Sequence, residues 1–157
     1  MSKKKFVIKF VFFFTIFTLI SNISIIEKIS INFFLIFAKL FLLFFDPTSW
    51  TVIGNELVVN GSNLIMVKEC TGLPMFVLFL AFALSYSKNV KKEYKNILLG
   101  VLFLVCLNVI RMFTIMIAAF IDIKVLNFVH DFLWPSTYFI FTLITVYFFI
   151  KRCDKSK

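Results

Sequence analysis

Long apolar runs separated by short polar breaks make up most of this chain, and their lengths predict helices that cross a membrane. About 20 apolar residues in a helix span the ~30 Å hydrocarbon core of a bilayer. The first run covers about Phe6 to Ile26, and the second, about Ile29 to Phe45, is shorter, carries Lys39 and ends at Asp46-Pro47. Three more follow at about Leu73 to Tyr86, Ile97 to Ala119 and Phe132 to Ile150. The stretch from Trp50 to Glu69 differs in kind. Its turn signals Gly54-Asn55 and Asn60-Gly61-Ser62 separate the β-prone runs Leu57-Val58-Val59 and Leu64-Ile65-Met66-Val67. That pattern predicts a short β-hairpin outside the hydrocarbon.

Charge orients the runs. Lys3, Lys4 and Lys5, then Lys88, Lys91, Lys92 and Lys95, then Lys151, Arg152, Lys155 and Lys157 form three clusters flanking apolar runs. Only Glu93 and Asp154 offset them, while the other six acids lie in the remaining segments. This is the positive-inside pattern, which puts both termini and the loop at 88–95 on the cytoplasmic side of a cell membrane. An even number of crossings is then required. The short, lysine-bearing segment at about 29–45 is the one expected not to cross, lying instead as an interfacial or re-entrant helix on the outer side. The N-terminal run follows Lys3 to Lys5 like a signal peptide, but it is long and lacks a small-residue cleavage site, so an uncleaved anchor is expected.

The expected fold is thus an all-α integral membrane protein forming one domain over 1–157. It has four transmembrane helices (about 6–26, 73–86, 97–119 and 132–150), an interfacial or re-entrant helix (about 29–45) and an extracytoplasmic hairpin (about 50–69). Composition agrees: 61% of residues are hydrophobic, 24 of the 157 are Phe, and only 16% are charged. A soluble domain of this size carries more polar surface. The formal charge of +9 needs no nucleic-acid partner, because its clusters are explained by the lipid bilayer they flank.

With this topology three reactive side chains fall at one depth near the outer face. Cys70 precedes Gly72 and Pro74 at the opening of the third run, and Pro is tolerated in a first helical turn. A thiol at a helix N-terminus is held towards its thiolate by exposed N–H groups and the positive dipole end. Neither Cys106, in mid-span, nor Cys153, on the cytoplasmic side, is placed to form a disulfide with it. Arg111 lies about nine residues inside the outer end of its span, roughly 13 Å deep by helical rise. Burying a guanidinium there costs ~2.5–3.5 kcal/mol on insertion scales, so a partner, a wet cavity or a substrate must offset it. Asn108, three residues earlier, shares its helix face. His130 is the single histidine and precedes Asp131, which is a supporting candidate to orient it. Thiol, guanidinium and imidazole can serve as nucleophile, anion stabiliser and proton shuttle. One histidine and one outward-facing cysteine cannot fill a metal's coordination shell, and no glycine-rich phosphate loop is present, so no metal or cofactor is expected.

At these residues the chain resembles the exosortase/archaeosortase family of membrane-embedded transpeptidases. The matching pieces are Glu69-Cys70-Thr71-Gly72-Leu73, Asn108-Val109-Ile110-Arg111, and His130 before the last span. Their order and spacing match over about residues 29–152. The resemblance implies cleavage of a C-terminal transmembrane sorting signal from exported protein substrates, with the new C-terminus passed to an acceptor. Cys70 would be the nucleophile, Arg111 and His130 the supporting pair. The residues by themselves leave a second reading open: a small non-catalytic membrane subunit or chaperone that binds partner helices through Arg111.

Overall fold

The computed structural model describes residues 3–45, 50–53, 56–59, 62–65 and 71–155. Two helices open the chain, α1 (Lys3–Ser21) and α2 (Ser24–Phe45), bent by 75° across the break between them. At that break the Ser21 hydroxyl donates to the Thr18 carbonyl, and the Ile23 carbonyl accepts the first backbone bonds of α2. Three strands follow, β1 (Trp50–Ile53), β2 (Glu56–Val59) and β3 (Ser62–Ile65), in an antiparallel sheet of order β1-β2-β3. Trp50 pairs with Val59, and Glu56 with Ile65. The single hairpin expected from sequence is therefore corrected to a three-stranded meander, because the run before Gly54 also pairs.

Helix α3 (Leu73–Tyr86) is followed by a short turn and the long α4 (Val90–Ile121). The Asn89 side chain caps α4 by accepting from the Lys91 N–H at 3.1 Å. α4 thus begins well before Ile97, since the lysines that mark the end of hydrocarbon do not interrupt helical backbone. Asp122, with extended backbone, ends α4 and caps α5 (Ile123–Asn127) by accepting from the Lys124 N–H at 3.0 Å. A π-helical segment, Phe128–Leu133, leads into α6 (Trp134–Lys155).

Helices α4 and the continuous stretch Ile123–Asp154, of 32 residues each, are long and apolar enough to cross a membrane, and the bent α1–α2 pair makes a third if counted as one span. These helices mark the chain as a membrane protein. The expected four separate crossings are not reached on this measure. α3 has 14 residues, about 21 Å of helix against a ~30 Å core, and the first run is divided by its bend. The segment expected at 29–45 begins earlier, at Ser24, and is not isolated. Its stripe Ile31, Phe34 and Leu35 is buried against Met112 of α4, and Ala38 joins Ile115, Met116 and Trp134.

α4 is the centre of the bundle. Besides α2 it packs against α3 and α6, through a core of Phe79, Ala83, Leu104, Leu107, Tyr138 and Phe149. The three basic clusters meet at one end. Phe6 stacks edge-on against Phe82 near the start of α1 and the end of α3, at 5.6 Å between rings. The Tyr86 hydroxyl donates to Asp154, and the Cys153 thiol donates to Glu93 at 3.1 Å, tying α6 to the α3–α4 turn. Thr71, Gly72 and Arg111 lie away from this end.

Candidate functional site

Chain direction brings three elements together near the start of α3. α4 runs away from the basic end and α6 returns towards it, so residues late in α4 face residues early in α6. Trp134 Nε1 donates to Thr114 Oγ1 at 2.6 Å, and the Thr114 hydroxyl donates to the Arg111 carbonyl at 2.8 Å. One turn further along α6, the Tyr138 ring receives the Arg111 guanidinium at 6.0 Å from its centroid, within cation–π range. Asn108 is fully buried beside them, while Arg111 and Tyr138 keep 8% and 3% exposure. Arg111 sits about ten residues, roughly 15 Å, inside the Ile121 end of α4.

The entry to α3 closes this cluster. Gly72 is its N-cap and adopts φ 69°, a left-handed conformation that suits glycine. A Cβ there would stand 2.6 Å from the Tyr138 hydroxyl and 2.9 Å from Asn108 Oδ1. The neighbouring Thr71 is buried at 1% exposure. Backbone of the Thr71-Gly72 segment is therefore pressed directly onto Asn108 and Tyr138, one turn of α4 from Arg111.

Cys70 and Glu69 lie outside the described residues. The helix starts at Leu73 with Gly72 as its cap, two residues beyond Cys70.

His130 is placed differently. It was expected just before the last span and lies within the π-helical segment that leads into α6, and such segments are frequent at functional sites. Its Nδ1 is 2.7 Å from Asp131 Oδ1, with side chains 42% and 73% exposed. In the widened π-helical turn these neighbours meet, which a regular helix does not favour. Four residues separate His130 from Trp134 and three separate Arg111 from Thr114, so their backbones are offset by about 10 Å along the bundle. The structure thus gathers Asn108, Arg111 and the Thr71-Gly72 entry, and sets His130 with Asp131 apart at the more exposed rim.

Tyr138 and the Trp134–Thr114 bond were not anticipated from the sequence. Their signal was present: a tyrosine hydroxyl inside an apolar run asks for a partner, and Trp134 and Tyr138 share a helix face. Among the described residues no group of three or more His, Cys, Asp or Glu side chains gathers as a metal site. No protein-family model matches the chain, and neither the curated proteins nor the solved structures compared with it give a match.

Proposed function

We propose that this chain is a membrane-embedded cysteine transpeptidase or protease that cleaves a C-terminal sorting signal of exported proteins at the extracytoplasmic face. The observation that supports it most is the contact of Gly72 with Asn108 and Tyr138, beside the buried Arg111. Two residues of chain tether Cys70 to Gly72, at most ~7 Å when fully extended. In this reading thiol and guanidinium act on one peptide group. In the reaction, the Cys70 thiolate attacks the scissile carbonyl carbon. Arg111 donates to the oxyanion as it forms, a kind of interaction worth ~3–4 kcal/mol. The C–N bond breaks as His130, oriented by Asp131, protonates the leaving amine. The resulting thioester passes to an acceptor nucleophile, or to water, whose proton returns to the imidazole.

In this reading both termini and the lysine-rich α3–α4 turn are cytoplasmic. α1, α3, α4 and α6 make four crossings, α3 at its short length aided by the Thr71-Gly72 entry below the surface, and α2 is the re-entrant or interfacial element. The substrate's own apolar tail lies in the same bilayer, so encounter occurs in two dimensions. The test is expression of Cys70→Ala and Cys70→Ser beside a candidate tailed substrate. Loss of processing in both is expected, and processing at the wild-type rate in either would refute Cys70 as nucleophile.

The distance of His130 from the buried cluster favours one other reading: a non-catalytic small membrane subunit or chaperone whose Arg111 pairs with an acidic residue of a partner helix. The near-complete burial of Arg111 weighs against it. A thiol-reactive probe separates the two, because a nucleophilic Cys70 labels rapidly near neutral pH, whereas a packing cysteine does not.

A further inference from the structure

At the end of the bundle remote from Arg111, a groove of about 480 Å³ opens between α4 and α6. Its walls are almost wholly apolar, with Leu102, Phe103 and Phe148 among them, and it runs from Asn96 and Arg152 at one end to Cys106 and Ile144 at the other. Asn96 to Cys106 is ten residues of helix, about 15 Å, which is half of a ~30 Å hydrocarbon core. The groove therefore has the depth of one leaflet, with its polar end at headgroup level. That end is cationic. The Glu93 carboxylate accepts from the Cys153 thiol and the Asn96 amide, and Asp154 accepts from Tyr86. Both nearby acids accept only neutral hydrogen bonds, so neither is paired with a cation in them, while Arg152 is exposed and no hydrogen bond or ion pair holds it among the described residues. Lys151 precedes it in sequence and Lys95 precedes Asn96, so cations outnumber acids at this end.

We propose that this groove binds an anionic phospholipid, one acyl chain lying along Leu102 and Phe148 and the phosphate held by Arg152 with Asn96. Charge selects this occupant over a sorting-signal helix. A transmembrane tail ending in basic residues would bring its cations against Arg152, Lys95 and Lys151, whereas a lipid phosphate neutralises them. The site is independent of the chemistry proposed for Cys70.

The experiment is native mass spectrometry of the full chain in detergent, offered equal amounts of dioleoylphosphatidylglycerol and dioleoylphosphatidylcholine. Wild type is expected to retain phosphatidylglycerol at least about fivefold more, roughly the ~1 kcal/mol of one cation near an anionic surface. Arg152→Gln is expected to bring that ratio close to one. Lys3→Gln, at the same end but on α1, is expected to keep it. Cys106→Trp places bulk in the groove from an exposed position without entering the core, and is expected to reduce retention of both lipids. Equal retention by wild type, an unchanged ratio in Arg152→Gln, an equal loss in Lys3→Gln, or unaltered lipid binding by Cys106→Trp would each overturn the assignment. So would displacement of bound phosphatidylglycerol by an apolar helical peptide with a lysine tail.

Discussion

A methyl group on Gly72 would lie 2.6 Å from the Tyr138 hydroxyl and 2.9 Å from Asn108 Oδ1, on a backbone with φ 69°. Gly72→Ala therefore meets two penalties. The left-handed conformation alone costs ~1–2 kcal/mol for a residue with a Cβ, and the clash adds to it. Loss of at least ~2 kcal/mol is expected, read as a lower Tm in detergent. Tyr138→Phe removes the hydroxyl that the new methyl meets first, so the double variant should recover part of the loss. Strictly additive effects would mean that Gly72 and Tyr138 do not touch. This site was half legible in the sequence. Arg111 and Asn108 stood out because a charge and an amide interrupt an otherwise apolar run, and burial costs make such interruptions informative. Tyr138 did not stand out, because its importance depends on how α6 is rotated against α4. Asp131 was legible as a supporting candidate beside His130, but the π-helical turn in which the two meet was not, because hydropathy carries no trace of one.

Helix boundaries show where reading by hydropathy stops working. Hydropathy reports contact with hydrocarbon, so it began the fourth span at Ile97, whereas backbone hydrogen bonding carries α4 back to Val90 through three lysines. It also left Ile123–Asp131 outside the last span, although Asp122 caps a helix that continues without interruption to Asp154. α3 was placed at its observed limits because Gly72-Leu73-Pro74 and Ser87 bound it chemically as well as by polarity. What registers α6 on α4 is the Trp134–Thr114 hydrogen bond, one turn from the Tyr138–Arg111 contact. Thr114→Val keeps the side-chain shape and removes the acceptor. Within an apolar bundle the expected cost is ~0.6–2 kcal/mol. With Trp50→Phe leaving Trp134 as the single indole, its emission should shift to the blue when the bond is lost. An unchanged spectrum would show that Trp134 Nε1 does not donate to Thr114.

Across the whole molecule, polarity is segregated along the bundle axis. The start of α1, the end of α3, the start of α4 and the end of α6 converge through Phe6–Phe82, Tyr86–Asp154 and Glu93–Cys153, and they carry all three lysine-rich clusters. The turn at Asp122 and the His130–Asp131 pair lie towards the other end. A cation cluster near a cytoplasmic surface is favoured by the anionic lipids there and resists translocation, so the basic end should face the cytoplasm and the Asp122 end should face out. Single cysteines test this in a chain whose own three cysteines are replaced by alanine. Asn89→Cys stands in the lysine-rich turn and Asp122→Cys at the opposite corner, both outside the helical cores. A membrane-impermeant maleimide applied to intact cells should label Asp122→Cys and spare Asn89→Cys, and permeabilisation should make both react. The reverse order would place Arg111 and the entry to α3 towards the cytoplasm. A peptidase acting on proteins after export could not then use them, whatever chemistry Cys70 proves capable of. Labelling of both positions from outside would mean instead that α4 does not cross the membrane, and the even-numbered topology would fall with it.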